Sequence, residues 1–116
     1  MNCQQGDIVW VEFPRPMASE PGKARPALVV QSDAFNRSQL QTVLVVPLTS
    51  NVDRAALPGN VKLHPRDALK KASVASVTHT GVVDKSWVKR RMARASRAEL
   101  EQVLDGVLLV LGRLQA

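Results

Sequence analysis

The apolar residues of this chain come in short runs, and proline, glycine or a polar turn closes nearly every run before a helical period can develop. Such punctuation favours a fold of short strands. The stretch Glu20-Pro21-Gly22-Lys23-Ala24-Arg25-Pro26-Ala27-Leu28-Val29-Val30 shows the pattern at its clearest. Pro21 and Gly22 make a turn, Pro26 biases Arg25 towards extended backbone, and Ala27–Val30 is a short β-rich run suited to a core. Arg25 is therefore expected where a loop becomes rigid. A guanidinium held there suits a phosphate, because its planar fork makes paired hydrogen bonds. Pairing with Glu20 is the structural alternative.

The remaining chain reads similarly. Ile8–Phe13 is a first strand, and 14–22 is a loop with three prolines and a glycine. Ala27–Gln31 is a second strand, followed by a short helical turn capped at Ser32-Asp33. Gln41–Leu48 is a third, ending in the polar tip Thr49-Ser50-Asn51. Val61–Leu63 and Ser73–Thr78 are further strands, with a short helix or edge segment at Ala68–Lys71 between them. His79-Thr80-Gly81 is a turn, and Lys85–Arg94 is a basic run read as a short helix or turn. Ser96 and Glu99 form a capping box, and Leu100, Val103, Leu104, Val107, Leu108, Leu111 and Leu114 then recur at helical spacing. This predicts one domain over 1–116, mainly β, as a strongly bent sheet or small barrel closed by a C-terminal helix.

Charge points to the partner. The net charge is +6, and residues 61–97 alone carry ten Lys and Arg against Asp67 and Asp84, a local +8. A concentrated basic region implies a polyanion, nucleic acid first. The few aromatics, two Trp and two Phe with no Tyr, argue against a base-stacking platform. The single cysteine, Cys3, excludes a disulfide framework and reads as a plain thiol near a loose terminus. His64 and His79 have no partner at ligand spacing, so neither metal nor cofactor is expected. With no leader and no apolar run of membrane-spanning length, the sequence predicts a soluble, cytoplasmic protein.

Three polar sites remain, each at a strand end: Arg25 with Glu20 and Lys23, Thr49 with Ser50 and Asn51, and His79 with Thr78 and Thr80. Antiparallel pairing would bring Arg25 and Thr49 together. The series Gly6-Asp7-Ile8-Val9-Trp10-Val11, Ser19–Val30 and Val45-Val46-Pro47-Leu48-Thr49-Ser50-Asn51 resembles the MazF/PemK toxins in order, spacing and element type. The resemblance implies an SH3-like small barrel of the CcdB/MazF/PemK type. It implies a homodimer that cuts single-stranded mRNA without a metal, leaving 2′,3′-cyclic phosphate and 5′-hydroxyl ends. It also implies a cognate antitoxin, expected to carry a disordered acidic tail. Arg25 and Thr49 match the family's functional pair; Glu20, Lys23, Ser50, Asn51, Thr78 and Thr80 are the expected RNA contacts around them.

Departures cluster late in the chain. Where many members carry Gln, an apolar residue and Arg-Thr, this chain has His79-Thr80-Gly81-Val82, so His79 replaces the Gln and Gly81 the Arg. Some members place an Arg and an Asp in the preceding strand; Ala75 and Val77 stand here. The reading adopted is that His79 takes over a proton-transfer role as the base, since imidazole titrates near neutrality. Contact with RNA or the barrel rim is the other role open to it. Two further functions stay open on the same fold, a CcdB-like gyrase-binding poison and a non-catalytic RNA-binding barrel.

Overall fold

The computed structural model describes residues 2–14 and 24–115. Seven strands form a curled half-barrel sheet: β1 (Asp7–Glu12), β2 (Ala24–Val29), β3 (Thr42–Thr49), β4 (Val61–Leu63), β5 (Ser73–Ala75), β6 (Gly81–Asp84) and β7 (Val88–Arg94). Their order is β4-β5-β3-β2-β1-β7, with β6 also paired to β3. Every pairing is antiparallel. The short helix α1 (Asp33–Asn36) follows β2, and α2 (Arg97–Val110) follows β7.

The sheet is apolar on both faces, which is why its strands read as continuous hydrophobic runs. Ile8, Leu28, Val46, Leu63, Ala75, Val77 and Val103 form one core, sealed by Leu100, Leu104 and Val107 of α2. Val9, Val11, Ala27, Val29, Val43, Val45 and Val83 form the other, flanked by Phe13 and Trp87.

Several local expectations change. β2 starts at Ala24, so Arg25 lies within a strand and not before one. Ser32 makes no side-chain cap; Asp33 instead accepts from the Gln5 amide (2.8 Å) and from Asn36 (3.2 Å), bonds that hold its carboxyl below the usual range. Residues 66–69 form a turn bridged between Arg66 and Leu69, not a helix. Val77–His79 is a 3-10 turn, and the strand before it ends at Ala75. The basic run is a 3-10 turn (Lys85–Trp87) leading into edge strand β7, where Lys and Arg suit an unpaired edge. Cys3 is buried among the second core, and burial first, then Asp7, pushes its thiol pKa up. Asp7 is buried and paired with Arg94 at 2.5 Å.

The predicted capping box is present, and its acid does more than cap. Glu99 accepts from the Ser96 amide (2.8 Å), from the His64 amide (3.3 Å) and from both terminal nitrogens of Arg66 (2.5 and 2.6 Å). Burial alone would raise this carboxyl, but the bonds from Arg66, Ser96 and His64 outweigh it and hold the group at about 2 against an ordinary 4.5. A pKa lowered by folding stabilises the native state above the ordinary value and ceases to do so as pH falls through the folded one. Urea titrations should therefore show stability declining by about 3 kcal/mol from pH 4.5 towards pH 2, with Glu99→Gln flattening that limb.

α2 docks through glycine. A Cβ on Gly106 would lie 2.2 Å from the Gly59 carbonyl oxygen and 3.0 Å from a Val77 methyl, so backbone meets backbone there. Gly106→Ala should lower the urea midpoint by an amount equivalent to about 2–3 kcal/mol, with the native far-UV spectrum retained.

Candidate active site

The second core opens at one end into a cleft of about 460 Å³ with Val11, Ala27, Val45 and Val83 in its lining. Arg25, Thr49 and His79 all line it. Their convergence follows from strand register. β2 and β3 pair through Ala27↔Pro47, and continuing that register by two residues sets Arg25 opposite Thr49. Alternation puts Arg25 on the same face as Ala27, and Thr49 on the same face as Val45, which is the cleft face.

His79 arrives from the other side of β3. That strand pairs with β6 along Thr42–Val45 and with β5 at Leu48 and Thr49. The turn Val77–His79 fills the change of partner, anchored by the Ser76 amide on the Pro47 carbonyl (3.0 Å) and the His79 amide on the Ser76 carbonyl (3.0 Å). The His79 side chain is exposed, and its Nδ1 lies 2.8 Å from the hydroxyl of buried Ser76.

Among the described residues, the expected RNA contacts lie outside this lining. Ser50, Asn51, Thr78 and Thr80 are absent from the cleft lining. Asn51 caps the 3-10 turn Val52–Ala56, accepting from Asp53, while its own amide donates to the Thr49 hydroxyl (3.2 Å). The Thr80 hydroxyl donates to the Val77 carbonyl (2.6 Å), so it braces the turn. Glu20 and Lys23 lie outside the described residues.

Arg54 is the residue that sequence reading passed over. It lines the cleft from the 3-10 turn after β3, with its carbonyl accepting from the Leu57 amide (3.1 Å) and Asn60 Nδ2 (3.0 Å). Its signal was a cation five residues past Thr49, between the polar tip Thr49-Ser50-Asn51 and the strand Val61–Leu63. Among the described residues neither Arg25 nor Arg54 is in an ion pair, whereas Arg66 and Arg94 are held by Glu99 and Asp7. Two cations, a hydroxyl and an imidazole over an apolar floor are groups with the chemistry to bond the oxygens of a phosphodiester and to take part in proton transfer.

This fold and site define a class, and comparison with known proteins gives its family. The model of the PemK-like, MazF-like toxin of type II toxin–antitoxin systems matches residues 4–111. Endoribonuclease MazF2 of Mycobacterium bovis is 36% identical over 112 residues, covering 96% of this chain and 98% of that protein. Endoribonuclease MazF6 of Mycobacterium tuberculosis gives the same values. Among solved structures, MazF of Deinococcus radiodurans superposes with a TM-score of 0.76 at 26% identity, over 97% of this chain and 98% of that one. A MazE–MazF structure from the same organism gives 0.76 at 27%, with the same coverage. The chain belongs to the PemK/MazF toxin family.

Arg54→Ala should weaken binding of a single-stranded oligoribonucleotide across sequences. It should also lower the slope of log affinity against log salt by about one, measured by fluorescence anisotropy.

Proposed function

We propose that this protein is the endoribonuclease toxin of a type II toxin–antitoxin pair, cutting single-stranded mRNA in the cytoplasm without a metal ion. The carrying observation is that Arg25, Thr49 and His79 share one cleft in a chain whose family match runs from residue 4 to residue 111. Relatives named endoribonucleases over nearly their whole length support the reaction class. In the proposed reaction the 2′-hydroxyl oxygen attacks the adjacent phosphorus and the bond to the 5′-oxygen breaks. The hydroxyl proton is balanced by one delivered to that 5′-oxygen, so the products are a 2′,3′-cyclic phosphate and a 5′-hydroxyl.

Negative charge gathers on the phosphoryl oxygens in the transition state. Arg25 clamps them with paired N–H donors, and Thr49 adds a hydroxyl at the facing strand end. A guanidinium stays protonated and is a poor base, and His79 adds an imidazole that can either transfer a proton or donate a hydrogen bond. Glu20 and Lys23, near Arg25 in sequence, and Ser50, Asn51, Thr78 and Thr80, next to Thr49 and His79 in sequence, are proposed to meet the RNA flanking the scissile bond.

The MazE–MazF structures of the family support an antitoxin partner, here a protein whose acidic segment would cover the basic surface. A homodimer is consistent with the apolar residues left exposed at the end of α2, among them Val110 and Leu111.

The test is incubation of purified protein with a long single-stranded RNA in EDTA, followed by analysis of fragment ends. Discrete fragments with cyclic phosphates and 5′-hydroxyls are expected, with Arg25→Ala slowing cleavage by about 10²-fold or more. Intact RNA from folded protein would sink the proposal, and gyrase inhibition without RNA cleavage would replace it. Cleavage unaffected by His79→Ala at every pH would remove His79 from the reaction.

A further inference from the structure

Ser76 is buried, 6% exposed, and is among the residues that line the cleft. Among the described residues that hydroxyl has one partner, His79 Nδ1 at 2.8 Å. The other polar groups of Ser76 are engaged: its amide donates to Pro47 and its carbonyl accepts from the His79 amide. The loop between the two residues is a single 3-10 turn, so the side chains are held face to face by their own backbone.

Two tautomers fit a contact between a hydroxyl and a ring nitrogen. If Nδ1 carried the proton, it would donate to Ser76 Oγ, and the serine hydrogen would then point into a buried environment with no protein acceptor. If Nδ1 is bare, the serine donates to it and every group is satisfied. An unmade hydrogen bond on a buried donor is the more expensive state, so the second arrangement is preferred. The neutral imidazole then carries its proton on Nε2, the nitrogen left for the exposed side of the ring.

We infer that Ser76 is a positioning residue that fixes His79 as the Nε2–H tautomer, so that the imidazole meets RNA as a hydrogen-bond donor and not as a base. The inference rests on the endoribonuclease reading for its purpose, and it refines the role of His79 within that reading. A neutral Nε2–H can bond a phosphoryl oxygen or the departing 5′-oxygen, beside the donors of Arg25 and Thr49. The turn supplies the ring orientation through Ser76, so His79 needs no carboxylate behind it.

The tautomer can be read in the free protein by long-range ¹H–¹⁵N correlation of the imidazole at a pH where it is neutral. The wild type should show one protonated nitrogen, Nε2, and Ser76→Ala should convert this to a mixed pattern. In RNA cleavage Ser76→Ala should lower kcat about ten-fold, the effect of one net hydrogen bond, with KM little changed. The same substitution made on a His79→Ala background should have no effect. A wild-type spectrum with the proton on Nδ1 overturns the inference, as does an equal loss from Ser76→Ala with or without His79. An Nε2–H spectrum in wild-type protein that leaves RNA intact supports the tautomer assignment and removes only the RNA reading.

Discussion

The change of partner along β3 is the constraint on which the rest of this structure depends. One strand edge is shared between β6, at Thr42–Val45, and β5, at Leu48 and Thr49, while the opposite edge is occupied by β2. A sheet cannot pass smoothly from one partner to another, and the excess chain is expelled as the turn Val77–His79. That irregularity opens the cleft and puts an imidazole on its rim. The same strand ends beside Arg25, so the ladder that closes the core also brings the polar groups together. A regular sheet would still set Arg25 opposite Thr49 but would provide no turn to bring His79 to them.

The basic character of the chain divides into two uses. Arg66 bonds Glu99 with both terminal nitrogens and also donates to the carbonyls of His64 (3.0 Å) and Arg94 (3.1 Å), joining the ends of β4 and β7 to the start of α2. Arg94 bonds buried Asp7, tying β7 to the start of β1. These two guanidiniums are structural, and the local excess of positive charge overstates what a polyanion would meet. Arg90 lies over the ring of Trp10 at 5.3 Å, which covers an otherwise half-exposed aromatic. Arg25 and Arg54, by contrast, face the cleft.

Much of the fold was legible because each signal was local. The capping box at Ser96 and Glu99 depends on a spacing of three, and the strands around Val9, Leu28 and Val45 are short runs between turn residues. Long-range facts were hidden. Nothing in sequence spacing joins Arg66 to Glu99, or reveals that Gly106 exists to let α2 touch Gly59. The basic run at Lys85–Arg94 read as a short helix or turn, which holds for Lys85–Trp87, and β7 was hidden because register shifts beside Val9 and Val11 break the alternation expected of it. Arg25, Thr49 and His79 were found from strand ends and family likeness, whereas Arg54 depended on the course of a 3-10 turn that no motif announced.

The late departures from the family pattern now have a physical setting. Ala75 and Val77, which the resemblance sets where some members carry an arginine and an aspartate, are 0% and 1% exposed and packed in the core beneath α2. Charged side chains pointing into that core would need partners and desolvation that its aliphatic surroundings do not supply. In this chain those two positions are committed to packing, and a Cβ on either Gly59 or Gly106 would lie 3.0 Å from a Val77 methyl. Polar chemistry is displaced outward to the residues that the turn leaves at the cleft, Ser76 and His79. Gly81, where many members have arginine, lines the same cleft without a side chain and leaves room beside the ring. Buried aliphatics, a glycine and a histidine at these positions therefore form one consistent arrangement. The core takes the inner positions, and a single imidazole, braced by a buried hydroxyl, takes the rim.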